Sequence, residues 1–149
     1  MREILFRGKC VETGAWYEGQ YIHLHKTTYC FAGSEQHDAE NEVHQIVFEQ
    51  MTDWNLPNRH LRVDVLPETV GQYTGLTDKN SKKIFEGDIV KHHVQGDILV
   101  NLGVVNWDEE NARWAYKLNT MNPCFALYNP NAFEVIGNIH DNPELIDEK

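Results

Sequence analysis

The chain has 149 residues, of which 41% are hydrophobic and 24% charged, a composition typical of an ordinary globular domain. Its net charge of −10 is shared equally, with six Lys and Arg against eleven Asp and Glu up to Val70 and seven against twelve after it, so neither half offers nucleic acid a basic surface. Cys10, Cys30 and Cys124 lie far apart in the sequence, which predicts reduced thiols. The sequence shows no apolar leader and no long apolar stretch, so we expect a cytoplasmic protein without membrane association.

The N-terminal segment predicts a β-hairpin followed by a less regular region. Ile4–Val11 and Ala15–His25 are rich in β-branched and aromatic residues and are joined by turn residues at 12–14. Thr27–Ala32 is a third predicted strand. The polar and acidic segment Ser34–Glu42 is typical of a loop or a short helix.

The segment Val43–Trp54 is compatible with two structures. Its apolar residues fit one face of a helix. However, residues 55–58 (Asn-Leu-Pro-Asn) favour a turn, and Leu61, Val63 and Val65 then alternate with charged residues. We therefore expect a strand–turn–strand hairpin here, with the helix as the alternative.

The second half contains short predicted strands separated by tight turns. Residues 67–70 form a connector, and turn chemistry recurs at Asp78–Asn80 and Glu86–Asp88. The strands are predicted at Ile89–Val94, Ile98–Trp107, Arg113–Leu118 and Phe133–Ile139, with a one-turn helix at Asn142–Ile146. The expected fold is all-β with little helix: a β-hairpin lobe over residues 1–66 and a small barrel over residues 67–149.

Four segments of the chain resemble the YopX family, which is encoded largely in phages and integrated prophages. They are Met1–Ile4 with Phe6–Lys9, Pro67–Asn80, Lys83–Val90 and Glu134–Leu145. The resemblance implies one family domain over residues 1–149, all-β, with a C-terminal lobe similar to an SH3-like barrel. It implies no activity, because the family is functionally uncharacterised. The chain departs from the family pattern at Ser81, where Gly is usual. A type I turn over Asp78–Ser81, joining the run that ends at Leu76 to the run that starts at Lys83, requires a positive φ at Ser81. The four segments do not cover Cys30–Leu66.

The sequence predicts no metal site, cofactor or catalytic centre. His23 and His25 share one face of a strand, but no Cys or carboxylate at a metal-motif spacing completes a set of three or four ligands. Glu86 and Asp88 are candidate binding residues near the barrel rim, although a tight turn needs the same residue types. No nucleophile elbow, phosphate-binding loop or deaminase motif is present.

Aromatic residues are the other binding candidates. Trp107 and Trp114 flank one turn, where they either close the core or bind a peptide or a single strand of nucleic acid. We expect a non-enzymatic protein-interaction module in the host cytoplasm, whose partner is a host or phage protein or a second copy of the chain. A nucleic-acid-binding small barrel is the first alternative, disfavoured by the acidic charge. An enzyme or metal-binding protein is the second alternative.

Overall fold

The computed structural model describes residues 3–27, 41–93, 100–118 and 124–147. The chain forms two compact units, one of residues 5–70 and the other of residues 71–149 together with residues 1–4. Antiparallel strands make up most of the described residues, and the α-helix present among them, α1 (Glu144–Asp147), has four residues. The prediction of an all-β chain with little helix is confirmed.

Among the described residues, four strands belong to the unit of residues 5–70. They are β1 (Phe6–Lys9), β2 (Trp16–His25), β3 (Glu42–Gln50) and β4 (Arg59–Asp64), and they lie side by side in the order β4-β3-β2-β1. Each strand is antiparallel to the next along the chain. The predicted hairpin after residue 43 is confirmed, and the helical alternative is wrong. The strand and loop predicted between residues 28 and 40 lie outside the described residues.

The buried hydrophobic side chains of this unit lie on β3 and just beyond the ends of β1 and β4. Ile46 of β3 is fully buried, and Cys10 and Val65 are 5% and 3% exposed and form a β-bridge. At Gly19 of β2 a Cβ atom would lie 2.1 Å from the carbonyl oxygen of Val47, so a side chain there would force the strands apart. Only glycine permits this approach of β2 to β3.

The second unit has seven strands within the part of the chain that the structure describes. They are β5 (Gly71–Thr77), β6 (Lys83–Phe85), β7 (Asp88–His93), β8 (Val100–Asp108), β9 (Arg113–Leu118), β10 (Cys124–Ala126) and β11 (Phe133–Asn138). Strands β5 and β6 pair as a hairpin, and the other five form a sheet in the order β10-β9-β8-β7-β11. The sequence prediction omitted β10.

One hydrophobic core joins the hairpin to this five-stranded sheet. Ile84 of β6 packs with Val90, Val105, Tyr116, Leu127, Phe133 and Val135. Within the described residues, the edge strands β10 and β11 do not pair with each other, so the sheet is open. The SH3-like closed barrel is therefore not confirmed, although the antiparallel pairing and the single core are present.

The turn between β5 and β6 is organised by Asp78, which is 3% exposed. Its carboxylate accepts hydrogen bonds from the backbone amides of Asn80 and Lys82 within the turn, at 2.8 and 2.9 Å. The Ser81 amide donates to the Asp78 carbonyl, and Ser81 has a φ of 65°. This is the left-handed conformation predicted for the residue after the turn, where Gly is the residue without a steric cost.

Candidate functional site

Asp88, one of the two candidate carboxylates, is part of the turn between β6 and β7. Its side chain is 1% exposed and accepts a 2.7 Å hydrogen bond from the amide of Phe85. Gly87 has a φ of 78°, and the Glu86 amide donates to the carbonyl of Gln72. The buried Asp88 carboxylate therefore stabilises the turn, while Glu86 lies at its partly exposed edge.

The two candidate tryptophans lie directly opposite each other on β8 and β9. Their rings meet edge to face, with centroids 5.1 Å apart and planes at 75°. Trp114 packs against the hydrophobic core, whereas Trp107 is 40% exposed. The pair thus closes one end of the core, and Trp107 is its solvent-facing member.

Three exposed apolar side chains lie on the loop between β3 and β4, residues 51–58, which we call the β3–β4 loop. Met51, Trp54 and Leu56 are 83%, 93% and 59% exposed. A tryptophan in this state is unusual, because its large apolar area is normally at least half buried. Exposed apolar side chains gathered on one loop are typical of an interaction site.

The β3–β4 loop is held in shape by its own hydrogen bonds. The Trp54 amide donates to Asp53 Oδ1 at 2.7 Å, and the Leu56 amide donates to the Asp53 carbonyl at 3.0 Å. Thr52 Oγ1 donates to the carbonyl of Pro57, and Asn55 has a φ of 65°. The sequence predicted the turn at residues 55–58 but not its role. It placed Met51 and Trp54 in the preceding strand, whereas β3 ends at Gln50 and both residues belong to the loop.

A polar groove of about 440 Å³ opens beside β7 and β11 in the second unit. The hydroxyl of Tyr116 lies 2.8 Å from His92 Nδ1, and burial, aided by the neighbouring His93, lowers the pKa of His92. The neutral imidazole can then accept a hydrogen bond from the Tyr116 hydroxyl. The groove is lined by His92, His93, Tyr128, Asn129, Asn131, Ala132 and Phe133. It can accommodate a small polar group, but its imidazole His92 is engaged by Tyr116.

Strand pairing in the first unit gathers titratable side chains that are distant in sequence. His23 lies opposite His44, and His25 lies opposite Glu42, so all four belong to one face of the β2–β3 pair. Glu42 Oε2 is 3.2 Å from His44 Nε2 and 3.5 Å from His23 Nε2. Donor atoms of His23, Glu42 and His44 all lie within 4.8 Å of one another. The carboxylate that the sequence spacing lacked is thus supplied by the neighbouring strand.

A half-buried tyrosine adjoins this cluster. The hydroxyl of Tyr21 lies 2.6 Å from His44 Nδ1, on the side of the ring away from Glu42. Burial, with a smaller contribution from the charge of Glu42, raises the pKa of Tyr21 and keeps it a neutral hydroxyl. The hydrogen bond from His44, followed by the charges of the nearby histidines, lowers the pKa of Glu42. The carboxylate of this cluster is therefore ionised near neutral pH.

Comparison with known proteins places the chain in a family. The YopX protein family matches residues 5–147, nearly the whole chain. The chain belongs to the YopX family. The crystal structure of protein EF1440 from Enterococcus faecalis is similar to this YopX-family protein, with a TM-score of 0.51 and 20% sequence identity. The match covers 99% of this chain and 100% of that one. At this identity it shows a similar fold and nothing more. Among curated proteins, none matches this one. Within the described residues of this YopX-family protein, no helix has both the length and the apolar character needed to cross a bilayer.

Proposed function

We propose that this YopX-family protein is a non-enzymatic interaction module of phage or prophage origin, acting in the host cytoplasm and docking through the β3–β4 loop. The observation that carries the proposal is Trp54, 93% exposed on a loop whose backbone is fixed by internal hydrogen bonds. Met51 and Leu56 are exposed apolar side chains on the same loop. Membership of a family encoded largely in phages supports the proposed origin.

Trp54 has the properties of an interface anchor. Tryptophan is enriched among the residues that dominate binding energy, and methionine is enriched at interfaces generally. Burying an aromatic side chain of about 200 Å² contributes about 5 kcal/mol by area before association costs, and the net binding free energy of a micromolar complex is roughly 8 kcal/mol. Because the loop is already ordered, little further conformational entropy is lost on docking.

The charge of the molecule points to a protein with an apolar pocket and a basic rim as the partner. The loop contains Asp53 and neither Lys nor Arg, and the chain carries a net charge of −10. Phosphates of nucleic acid or of an anionic membrane are repelled by this charge, whereas basic groups around a pocket are attracted. The same reasoning disfavours the nucleic-acid alternative.

The proposal is tested by affinity capture from infected or lysogenic host cells. The bait is the full chain, compared with a Met51→Ala/Trp54→Ala double variant and with Tyr128→Ala, which removes a 78% exposed aromatic from the other unit. We expect one protein to be retained by the parent and by Tyr128→Ala and to be lost from the double variant. Equal retention by all three baits would contradict docking through the loop.

A further inference from the structure

We propose that His23, Glu42 and His44 bind one divalent transition-metal ion, for which Zn²⁺ is the best match. Two imidazoles and one carboxylate are the ligand types that zinc prefers when three protein ligands leave a coordination position open. The ligands come from facing positions of two strands that are already joined by backbone hydrogen bonds. The proposed site is independent of the β3–β4 loop.

The separations between the Glu42 oxygen and the two imidazole nitrogens fit the radius of the ion. Zinc bonds of about 2.0–2.1 Å at tetrahedral angles place neighbouring ligand atoms about 3.3 Å apart. Glu42 Oε2 lies 3.2 Å from His44 Nε2 and 3.5 Å from His23 Nε2. The two imidazole rings are nearly parallel, at 14° with centroids 4.5 Å apart, so their in-plane lone pairs run side by side rather than converging. His23 has the more exposed side chain, at 43% against 16% for His44, and a rotation of its ring directs its lone pair to the ion.

Tyr21 positions the less mobile ligand. A metal-bound imidazole ordinarily gives its other ring proton to a nearby acceptor, which fixes the ring orientation. The Tyr21 hydroxyl lies 2.6 Å from His44 Nδ1 and is such an acceptor. In the metal-free protein the hydroxyl donates to Nδ1 while Nε2–H donates to Glu42. Metal binding at Nε2 moves the ring proton to Nδ1 and reverses the hydrogen bond with Tyr21.

The ion pair of His60 and Glu49, on the same sheet, differs from the proposed site in exposure and in the number of imidazoles. His60 Nε2 lies 3.5 Å from Glu49 Oε1, but both side chains are more than 60% exposed and a single imidazole is present. The proposed site instead has two stacked imidazoles on one carboxylate, at the margin of the face on which Ile46 is fully buried. His60→Ala is therefore a matched control, since it removes an imidazole next to a glutamate outside the proposed site.

The test is a zinc titration of the tag-free, full-length chain in competition with a chromophoric chelator. We expect one zinc equivalent for the parent, at least a tenfold loss of affinity in His23→Ala and Glu42→Gln, and parental affinity in His60→Ala. His25→Ala should also bind as the parent, because three ligands form the site. Circular dichroism confirms folding, and the exposed His23→Ala variant carries the test if Glu42→Gln does not fold.

Two further measurements distinguish this site from zinc held elsewhere. The Co²⁺-loaded protein should show d–d absorption without the near-ultraviolet thiolate band that a cysteine ligand produces. Tyr21→Phe should weaken zinc binding by about tenfold at unchanged stoichiometry, as a positioning residue does. A thiolate band, or zinc binding by the parent no tighter than by His23→Ala, would overturn the proposal.

Discussion

The buried carboxylate of Asp78 accepts a 3.0 Å hydrogen bond from the backbone amide of Val135, 57 positions along the chain. The same carboxylate also accepts hydrogen bonds from the backbone amides of Asn80 and Lys82. One side chain therefore links the turn after β5 to strand β11. The Lys79 amide adds a bond to the carbonyl of Phe133 on that strand. Two of the segments that resemble the YopX family, Pro67–Asn80 and Glu134–Leu145, are therefore joined by direct hydrogen bonds.

Replacement of Asp78 with Asn should destabilise the protein. The amide keeps the size of the carboxylate but turns an NH₂ group toward one of the backbone donors, leaving a buried amide unpaired. We expect a loss of about 2–3 kcal/mol in the free energy of unfolding, measured by urea denaturation. Asp53→Asn, on the exposed loop, is the control and should change stability by less than about 0.5 kcal/mol. An equal effect of the two variants would contradict the role of Asp78.

The contribution of Asp78 should also depend on pH. Burial acts to raise the pKa of its carboxyl, but the hydrogen bonds from the amides of Val135, Lys82 and Asn80 outweigh burial and lower it. A lowered folded pKa contributes stability that is fully present above the unfolded pKa of about 3.9 and is lost as the pH falls through the folded value. The stability difference between the parent and Asp78→Asn should therefore narrow below about pH 4. A constant difference from neutral to acidic pH would show that the charge is not responsible.

Ser81→Gly should stabilise the protein. Ser81 has a φ of 65°, where its Cβ atom crowds the backbone at a cost of about 1 kcal/mol. Glycine removes this cost, but its greater conformational freedom in the unfolded chain offsets part of the stabilisation. We expect an increase of about 0.5–1 kcal/mol in the free energy of unfolding, or roughly 1–4 °C in melting temperature. Ser81→Ala keeps the Cβ atom and should give no such gain. A Ser81→Gly protein that melts below the parent would contradict this account of the turn.

Local chemistry was sufficient to predict part of this fold. The turn residues around Asp78 predicted both the hairpin and the left-handed φ of Ser81, and alternation after residue 60 decided the hairpin of β3 and β4. Strand β10 was missed because it is only three residues long. The barrel was not confirmed, since closure depends on long-range pairing of edge strands.

The candidate sites were harder to predict than the strands. His23 and His44 are 21 positions apart in sequence and meet only through the register of β2 and β3. No local spacing encodes that register, because it is set by the whole hydrophobic pattern of both strands. Trp54 lay at the end of the predicted strand Val43–Trp54, next to the predicted turn, but only its surroundings in three dimensions show whether such a side chain is covered.

Metal removal should leave the protein folded. The three proposed ligands lie on strands already paired through their backbones, and the core at Ile46 does not depend on an ion. A chelator should therefore not unfold the tag-free protein, whereas free zinc at a hundred times its dissociation constant should add about 2.7 kcal/mol to the free energy of unfolding. Differential scanning calorimetry of the parent and His23→Ala measures both effects. Unfolding by the chelator would contradict the prediction that folding requires no metal.

Site-specific photo-crosslinking in host cells tests the central claim, docking through the β3–β4 loop, most directly. p-Benzoylphenylalanine is introduced in place of Leu56 on the loop or, as the control, in place of the exposed Tyr128. Our account predicts a covalent adduct to one host or phage protein from position 56, abolished by Trp54→Ala and absent from position 128. The same adducts from both positions, or an adduct from position 56 only to a second copy of the chain, would contradict it.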